Sequence, residues 1–561
     1  MRDKAYNLLY KNHLNKKPVL STVSGILTTE PGMIAHFSKN VPSCDIITTK
    51  SYQLQATLGH REPIICSPSK RSFGNFVGLR NPGLDSVIVP LKRIKADNFK
   101  QILNISIAGN SIDAFIKAIR KVEDFADIVE LNFSCPHADK GFGASIGLDK
   151  ELVERYVSSI SSSFKGRDFL LIIKLTPNAT QIEKIAEAAI NSGADGVALI
   201  NTLGPFEYKD EKSGEVIFNK SEGGKGGLSG IALKEKALEC IKKVRMSIGD
   251  EPIILGMGGI ENAIDVQNML SAGADSVGIG STLSLVDFYD YEKYFKALKS
   301  SHDVSSLLKD NYNSLLYTKH EILNIEEIGD NCSRLELSGK LNAHAGEFVF
   351  LWIPQVGEKP FSVSTASPLS FVVKRRGEFT NKICDLKKGD IIYSRGPYGK
   401  KIEVEKSDKA LLVAGGSGLA TLPLIAEEVK KKCKNITIKI GLSGNGANND
   451  FSKTMKENLS IFGDVEFVFD NGKPGRVIDS ILLSDTDGDT KVYTVGPYAM
   501  MEKLCKKIND MGINADDIYV CAESLTLCGI GMCGECFCFG KLPCKEGTFY
   551  KYSQILRSKN D

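Results

Sequence analysis

The chain has 561 residues, which is more than one hydrophobic core organises, so several domains are expected. Its composition is that of a globular protein, with 42% apolar and 25% charged residues. A formal net charge of only +3 gives no support for a nucleic-acid or membrane partner. The opening segment, MRDKAYNLLYKN, lacks the apolar stretch of a signal peptide, and we therefore expect a cytoplasmic protein.

Residues 1–305 alternate short apolar segments with longer amphipathic ones. Most of the apolar segments are continuous, as expected of strands buried on both faces, and helical patterns such as Gln181–Ser192 separate several of them. Eight strand–helix units in about 300 residues favour a (β/α)8 barrel of the α/β class. The strand candidates are Pro18–Ser24, Asp45–Ser51, Leu103–Ala108, Asp127–Phe133, Phe169–Lys174, Asp195–Asn201, Pro252–Met257 and Ser276–Gly280.

Barrels of this kind carry their chemistry at the carboxyl ends of their strands. In this chain the strand candidates end in polar and glycine residues, so we expect the active site at that end of the barrel. The segments concerned are Thr49–Ser51, Asn132–Cys135, Lys174–Thr176, Asn201–Thr202, Gly258–Gly259 and Gly280–Ser281.

The pattern changes after residue 305. In residues 306–405, alternating strand patterns are separated by turn glycines such as Gly346 and Gly389, which favours a small antiparallel β-barrel. Residues 406–515 open with ALLVAGGSGLATLPL, a pattern typical of a strand, a glycine turn and a helix, and favour an α/β domain. Residues 516–561 form a cysteine-rich tail.

The tail holds six of the chain's 14 cysteines, and four of them have the spacing of an iron–sulfur site. Cys528, Cys533 and Cys536 follow the pattern C-x4-C-x2-C, with Cys544 further along, as in plant-type [2Fe–2S] ligation. In a chain without a secretion signal, such a cluster favours a metal site over disulfides. A structural zinc site is the alternative, because C-x2-C also suits zinc. Cys538 competes with Cys544 as the fourth ligand.

Glycine-rich segments at the ends of three late strands predict a phosphate site. They are Gly226–Gly230, Gly258–Gly259 and Gly280–Ser281, and late loops of this fold often bind phosphate through backbone N–H groups and a short helix N-terminus. Turns need glycine in any case, so a single pair is weak evidence. Three at matching barrel positions favour a phosphate-bearing cofactor.

The segment NFSCPH, which contains Cys135 and His137, follows the fourth strand candidate. An isolated cysteine on such a loop is usually a packing residue. Its neighbours change that interpretation, since Asn132, Asn75 and Asn201 could together hold a planar ring that carries amides.

Residues 1–305 resemble the family-1 dihydroorotate dehydrogenases. The resemblance implies oxidation of dihydroorotate to orotate in de novo pyrimidine (UMP) biosynthesis. The motifs that carry it are VSG at Val23–Gly25, TKS at Thr49–Ser51, NFVGLRNPG at Asn75–Gly83, ELNFSCP at Glu130–Pro136, KLTPN at Lys174–Asn178, INT at Ile200–Thr202 and GGLSG at Gly226–Gly230.

The remainder resembles the electron-transfer subunit that partners the NAD-linked type, a ferredoxin-reductase-like module with FAD, NAD and a [2Fe–2S] cluster. The resemblance implies four domains: an FMN-binding TIM barrel over 1–305, an FAD-binding barrel over 306–405, an NAD-binding α/β domain over 406–515 and a cluster domain over 516–561. The motifs are KPFS at Lys359–Ser362, GPYG at Gly396–Gly399, AGGSG at Ala414–Gly418, VGP at Val495–Pro497, and Glu523 with the four cysteines.

The family implies roles for individual residues. Cys135 would be the base that takes the C5 proton while the C6 hydride passes to FMN, and electrons would then pass through the cluster and FAD to NAD. FMN would be held by Ser24, Lys50, Ser51, Asn104, Asn132, Lys174, Ile200, Gly230, Gly258, Gly259, Gly280 and Ser281. Substrate would contact Lys50, Asn75, Phe76, Val77, Gly78, Leu79, Asn132, Asn201 and Thr202. FAD would be held by Lys359, Pro360, Phe361, Ser362 and Thr380.

The sequence departs from the family at three positions. Lys359 replaces an arginine, which loses the bidentate fork suited to pyrophosphate, and Phe379 replaces a glycine before Thr380. His137 stands where many members have an asparagine, and SCPH followed by GFGASIG resembles dihydropyrimidine dehydrogenases, which reduce uracil and thymine. Pyrimidine reduction is therefore the alternative activity, and a non-catalytic electron carrier is a third. Barrels of this kind commonly pair, so a homo-oligomer is expected, and the choice between NAD and NADP stays open.

Overall fold

The structure is a computed structural model that describes residues 1–15, 17–133, 146–329, 331–442, 450–470, 476–486 and 488–560. The chain divides into two compact units. The first is Met1–Leu316 with Ile530–Glu535, and the second is Tyr317–Gly529 with Cys536–Asp561. Across the described ranges, none of the helices combines the length and apolar character needed to span a membrane.

A closed barrel of eight parallel strands forms the centre of the first unit, and this confirms the predicted TIM barrel. Around the barrel the order is β1-β12-β11-β8-β7-β6-β5-β2. Each strand overlaps one of the eight strand candidates. The strands are β1 (Leu20–Thr22), β2 (Ile46–Thr48), β5 (Ile102–Ile107), β6 (Ile128–Asn132), β7 (Leu170–Lys174), β8 (Gly196–Leu199), β11 (Ile253–Met257) and β12 (Ser276–Ile279).

The barrel forms because these strands are mainly apolar and are buried on both faces. Side chains such as Ile128, Ile172 and Leu255 belong to one buried apolar cluster of the barrel strands. Helices follow most strands, as the amphipathic segments predicted. They are α1 (Arg2–Asn15), α2 (Pro31–Asn40), α3 (Leu84–Ala96), α4 (Ile112–Arg120), α5 (Lys150–Ser163), α6 (Ile182–Asn191), α7 (Lys234–Ile248), α8 (Ala263–Ala272) and α9 (Tyr291–Lys299).

Two of the loops that follow barrel strands pair into a second sheet. The hairpin β3 (Ile65–Ser69) and β4 (Ser72–Asn75) comes after β2, and β9 (Leu203–Glu207) and β10 (Lys225–Gly230) come after β8. The four strands are antiparallel, in the order β3-β4-β10-β9. Sequence analysis did not predict this sheet, whose strands are short and rich in glycine and serine.

The second unit contains two sheets. An antiparallel sheet of seven strands has the order β16-β15-β19-β13-β14-β18-β17, with one helix, α10 (Glu378–Cys384). Its strands are β13 (Thr318–Gly329), β14 (Cys332–Leu337), β15 (Phe348–Ile353), β16 (Gly357–Ser362), β17 (Thr365–Ala366), β18 (Leu369–Lys374) and β19 (Ile391–Tyr398).

The other sheet has six strands in the order β22-β21-β20-β23-β24-β25, all parallel except the last. Its strands are β20 (Ser407–Gly415), β21 (Cys433–Leu442), β22 (Asp464–Phe469), β23 (Thr490–Val495), β24 (Ile518–Cys521) and β25 (Phe549–Lys551). The helices are α11 (Leu422–Lys430), α12 (Asp450–Ser460), α13 (Arg476–Asp479), α14 (Tyr498–Asp510), α15 (Pro543–Glu546) and α16 (Tyr552–Asn560).

Ile172→Ala tests the packing of the barrel interior. The side chain is fully buried, so the substitution should lower the free energy of unfolding by about 2–5 kcal/mol through lost burial and a cavity. Ile264, which is 71% exposed, gives the matched control, and Ile264→Ala should change stability by less than about 0.5 kcal/mol. Urea denaturation measures both; equal losses would contradict the assignment of Ile172 to the core.

Candidate active site and cysteine loop

A chain of hydroxyl groups crosses the carboxyl ends of the first barrel strands. Ser24 lies 2.9 Å from Ser51, and Ser51 lies 2.9 Å from Ser106, oxygen to oxygen. The Asn132 side-chain N–H donates to the Ser51 oxygen at 3.0 Å. Ser106 in turn donates to a carboxylate oxygen of Glu130 at 3.0 Å.

The Glu130 carboxylate determines which oxygen donates in each hydrogen bond of this series of hydroxyl groups. A carboxylate only accepts, so Ser106 spends its single proton on Glu130 and must accept from Ser51. Ser51 then accepts from both Ser24 and Asn132. Ser24 donates its own proton to Ser51, so its oxygen keeps acceptor capacity for a bound molecule with N–H or O–H donors.

The carboxylate of Glu130 is fully buried within β6. The Lys174 ammonium lies 3.9 Å away, and the Asn104 amide N–H lies 3.5 Å from its second oxygen. A buried charge needs such an opposite charge and donors. Glu130 belongs to the ELNFSCP motif but was not predicted as a site residue, although a single acid inside an apolar strand is a signal of a buried polar site.

Asn104 supplies an unsatisfied acceptor at the same place. Its N–H group donates to the Thr48 hydroxyl at 3.2 Å, whereas its Oδ1 is buried without a hydrogen-bond partner among the described residues. Buried polar atoms are normally satisfied, so this oxygen is consistent with a ligand that donates to it.

The late barrel strands end in glycines, which leave the backbone uncovered by side chains at the candidate site. Gly230, Gly258 and Gly259 have φ of 87°, 133° and 71°, a region that side chains rarely adopt. A Cβ on Gly259 would lie 3.0 Å from the Gly230 carbonyl, so these two loops approach each other closely. Ser281 begins a short helical turn directly after Gly280. These features fit the predicted phosphate cradle, and together with the buried donors and acceptors they fit a flavin mononucleotide.

The predicted substrate residues Asn75 and Thr202 meet at Gly227 of β10. The Asn75 N–H donates to the Gly227 carbonyl at 3.0 Å. A Cβ on Gly227 would lie 2.2 Å from the Thr202 hydroxyl and 3.4 Å from the Asn75 amide nitrogen. The second sheet therefore brings together two residues that are far apart in sequence. Asn201 accepts from the Thr202 backbone N–H at 2.8 Å, and Ile200 is buried just before it.

The segment after Asn75 is fixed by packing. Phe76 is buried and stacks on His60, with ring centroids 3.9 Å apart. The backbone N–H of His60 donates to the Val77 carbonyl at 3.2 Å. Gly78 and Leu79 both have positive φ, which leaves the backbone turned back at this point. The predicted flavin residue Lys50 packs closely against Gly25, where a Cβ would lie 3.1 Å from the Lys50 ammonium. Cys135 and His137 lie outside the described residues.

Three of the four predicted cluster cysteines converge in the second unit as thiols rather than disulfides. The Cys536 and Cys544 sulfurs are 3.4 Å apart, and the pKa of the Cys544 thiol is raised well above its usual value by hydrogen bonding with Cys528 and Cys536 and by burial. Cys533 belongs to the segment Ile530–Glu535 of the first unit. Cys538 instead contacts the Tyr550 hydroxyl at 3.0 Å.

Within the described residues, no group of three or more His, Cys, Asp or Glu side chains has the arrangement of a site for a metal ion. The chemistry of the four predicted cysteine donors nevertheless fits a two-iron cluster, which is held by four cysteine thiolates.

The predicted FAD motif lies on β16, where Pro360 pairs with Phe350 of β15. Thr380 lies in the first turn of α10, and its hydroxyl accepts from the backbone N–H of Gly377 at 3.1 Å. Phe379 is buried and packs against Phe361, ring centroids 6.3 Å apart, which explains an aromatic residue at this position.

The predicted nicotinamide motifs meet at the carboxyl ends of β20 and β23. A Cβ on Gly418 would lie 2.5 Å from the Val495 carbonyl, and one on Gly496 would lie 2.7 Å from the Gly415 carbonyl. The strand order reverses between these two strands, and α/β sheets bind nucleotides at such a switch point. Glu523, within the cysteine-rich tail, is exposed.

Comparison with known families decides what the first unit is. The family model described as dihydroorotate dehydrogenase matches residues 14–301, just over half of the chain. The chain belongs to the dihydroorotate dehydrogenase family. As a member of that family it is an oxidoreductase with a TIM barrel.

Three similar relatives of the dehydrogenase half have the following names. The catalytic subunit of dihydroorotate dehydrogenase B (NAD(+)) from Methanothermobacter thermautotrophicus is 38% identical over 42% of this chain and 74% of its own length. The protein of the same name from Methanocaldococcus jannaschii is 33% identical over 53% of this chain and 90% of its length. Dihydroorotate dehydrogenase A (fumarate) from Limosilactobacillus reuteri is 34% identical over 47% of this chain and 83% of its length.

Two solved structures also match parts of the chain. One is an NADH-dependent reduced ferredoxin–NADP oxidoreductase, with a TM-score of 0.37 and 27% identity over 42% of this chain and 88% of that one. The other is the dehydrogenase of Eimeria tenella in complex with ferulenol, with a TM-score of 0.42 and 17% identity over 55% of this chain and 94% of that one.

Glu130→Leu tests the buried charge pair of the dehydrogenase barrel. It should lower the free energy of unfolding of the flavin-free protein by about 3–5 kcal/mol, because Lys174 then loses its buried counter-charge. The double variant Glu130→Leu/Lys174→Met should recover most of the loss. Glu239→Leu, which removes a carboxylate that is 44% exposed, is the control and should cost less than about 1 kcal/mol in urea denaturation. Equal losses in Glu130→Leu and Glu239→Leu would contradict the assignment.

Proposed function

We propose that this protein oxidises dihydroorotate to orotate in pyrimidine biosynthesis and reduces NAD with the two electrons released. The balanced reaction is dihydroorotate and NAD⁺ giving orotate, NADH and a proton. When bound, FMN and FAD would exchange electron pairs with the two organic substrates, while a [2Fe–2S] cluster would carry single electrons between the flavins. The observation that carries the proposal is the buried polar network from Ser24 to Glu130, which lies at the carboxyl ends of the strands in a barrel of this family.

The polar network supports flavin binding by its chemistry. The isoalloxazine edge of a flavin carries both an N–H donor and carbonyl acceptors. Asn104 offers an acceptor, and Lys50 and Lys174 offer positive charge that would stabilise the anion formed when a flavin is reduced. The backbone of Gly230, Gly258 and Gly259 would hold the phosphate.

Asn75 and Thr202 would hold the substrate ring, with Asn132 and Asn201 completing the set of amides. Planar cyclic amides need donors and acceptors side by side, which asparagine supplies with one side chain. Cys135 is proposed as the base that takes the C5 proton, since a thiol with an ordinary pKa near 8.5 can be tuned towards ambient pH.

The electron acceptor is assigned from the second unit. Relatives of the barrel are named for NAD(+) and for fumarate, so the barrel alone does not distinguish acceptors. The switch point at Gly415 and Gly496 supports a nicotinamide nucleotide, and β16 with α10 supports FAD. For the cluster we propose Cys528, Cys533, Cys536 and Cys544 as ligands, with Cys538 a packing residue. Four domains and a homo-oligomer are further proposed from the family resemblance, and a cytoplasmic location is proposed from the sequence pattern and the cysteine usage.

The substrate is tested by flavin bleaching without oxygen. Dihydroorotate should bleach the bound flavin of the wild-type protein, and NADPH with uracil should not give turnover. Pyrimidine reduction is the competing activity, because the sequence around His137 resembles the dihydropyrimidine dehydrogenases. Bleaching by dihydrouracil but not by dihydroorotate would overturn the proposed substrate.

Gly227→Ala tests the substrate pocket. The new methyl group would collide with the Thr202 hydroxyl at 2.2 Å and displace it, with Asn75 beside it. We expect KM for dihydroorotate to rise roughly tenfold or more, since each hydrogen bond is worth about 0.5–1.5 kcal/mol, while the flavin content stays the same. Gly109→Ala, where the nearest atoms are 3.4 Å from the new Cβ, serves as control. Unchanged steady-state kinetics in Gly227→Ala would exclude this pocket.

Cys528→Ser tests the electron path. Dihydroorotate should still bleach the barrel flavin, but reduction of NAD should fall to background, because the relay between the flavins is interrupted. Stopped-flow flavin absorbance and NADH formation measure the two halves separately. Cys332→Ser, in the antiparallel sheet, should leave both rates near wild type. NAD reduction at the wild-type rate in Cys528→Ser would mean that electrons bypass the cluster.

A further inference from the structure

A fully buried ion pair lies in the antiparallel sheet of the second unit, outside every role assigned so far. Arg395 of β19 and Glu358 of β16 both have 0% side-chain exposure. Two guanidinium nitrogens contact the two carboxylate oxygens at 2.5 and 2.7 Å, which is the bidentate arrangement. The Tyr317 hydroxyl donates to the same carboxylate at 2.6 Å.

The third guanidinium nitrogen of Arg395 faces the cysteine tail. It donates to the carbonyl oxygen of Cys528 at 3.0 Å and contacts the Tyr398 hydroxyl at 2.6 Å. The guanidinium also lies over the Phe350 ring, 4.1 Å from its centroid. Every nitrogen of a buried cation is therefore engaged, and one engagement is the backbone of a proposed cluster ligand.

A second contact holds the same turn. Gly529 has φ of 82°, and a Cβ there would lie 2.9 Å from the ring of Tyr398. The chain after Cys528 can pack this closely on the sheet only because residue 529 has no side chain. Arg395 and Tyr398, both on β19, thus fix the turn on which the proposed cluster would be built.

The pair also connects two sets of proposed cofactor residues. Glu358 directly precedes Lys359 of the proposed FAD motif, and Arg395 directly precedes the Gly396–Gly399 motif. One buried charge pair therefore joins the flavin-binding strand to the backbone of Cys528. A guanidinium is suited to this role because its planar fork can bind a carboxylate and a carbonyl at once.

We propose that Arg395 is a positioning residue for the iron–sulfur cluster and that Glu358 sets the charge felt by it. The proposal rests on the proposed function, because it needs the cluster to be present. Cluster reduction potentials depend on nearby charge and hydrogen bonding. An uncompensated positive charge beside the cluster stabilises its reduced form and raises the potential, whereas Glu358 cancels that charge in the wild type.

Glu358→Gln is the decisive variant. It keeps the shape of the side chain but leaves the Arg395 charge uncompensated, so the midpoint potential of the cluster should shift upward. Arg395→Met removes the donor to Cys528 and should increase the rate of cluster loss to a chelator several-fold without raising the potential. The double variant Arg395→Met/Glu358→Gln should lose the upward shift. If Arg395 and Glu358 had only a structural role, both single variants would lose the cluster to the chelator faster, and neither would shift its midpoint potential.

The experiment is a dithionite titration of the full-length protein followed by EPR, with iron content and chelation rate measured on the same samples. Arg245→Met is the matched control, since Arg245 forms a buried pair with Asp275 in the barrel, 2.7 Å apart, and should leave the EPR signal unchanged. Wild-type protein that lacks the cluster signal would overturn the proposed function and this inference with it. A wild-type cluster whose potential is the same in Glu358→Gln as in Arg245→Met would overturn this inference alone.

Discussion

The carboxylate of Glu130 lies inside the barrel, and the candidate active site depends on how that charge is compensated. Because a carboxylate can only accept, it orders the protons of Ser106, Ser51 and Ser24 into a single direction. Ser24 is the last donor of that series, and the Asn104 Oδ1 is a further buried acceptor without a partner among the described residues. The Glu130 carboxylate thus determines, without contacting a ligand itself, which hydrogen-bond donors and acceptors the candidate site presents.

Each unit buries a glutamate carboxylate, and the two units compensate that charge with different residues. In the barrel the counter-charge is Lys174, 3.9 Å from Glu130, and the Ser106 hydroxyl and the Asn104 amide are the remaining donors. In the antiparallel sheet the counter-charge is Arg395, in bidentate contact with Glu358. The Glu130–Lys174 pair is longer and depends on further donors for its compensation, whereas the bidentate pair is saturated and holds backbone in place.

The barrel could be predicted because its strands are apolar on both faces, and that pattern is readable along the sequence. The sheet β3-β4-β10-β9 could not, since segments such as Lys225–Gly230 have almost no apolar periodicity and are held by partners from a distant loop. The cysteine spacing predicted the convergence of Cys528, Cys536 and Cys544, which the contacts of Cys544 show, whereas the choice of Cys544 over Cys538 as fourth ligand stays a prediction. The pairing of Arg395 with Glu358 is not visible in the sequence, because the two residues are 37 positions apart and lie on different strands.

The bond between Arg395 and Cys528 spans 133 residues of chain. During synthesis, β19 leaves the ribosome well before the tail, so for that interval the guanidinium has no Cys528 carbonyl to bind. A buried donor without an acceptor destabilises the sheet that contains it. The antiparallel sheet therefore reaches its final stability only after the tail has been made, so the proposed FAD-binding strands are completed after the cysteines have been synthesised.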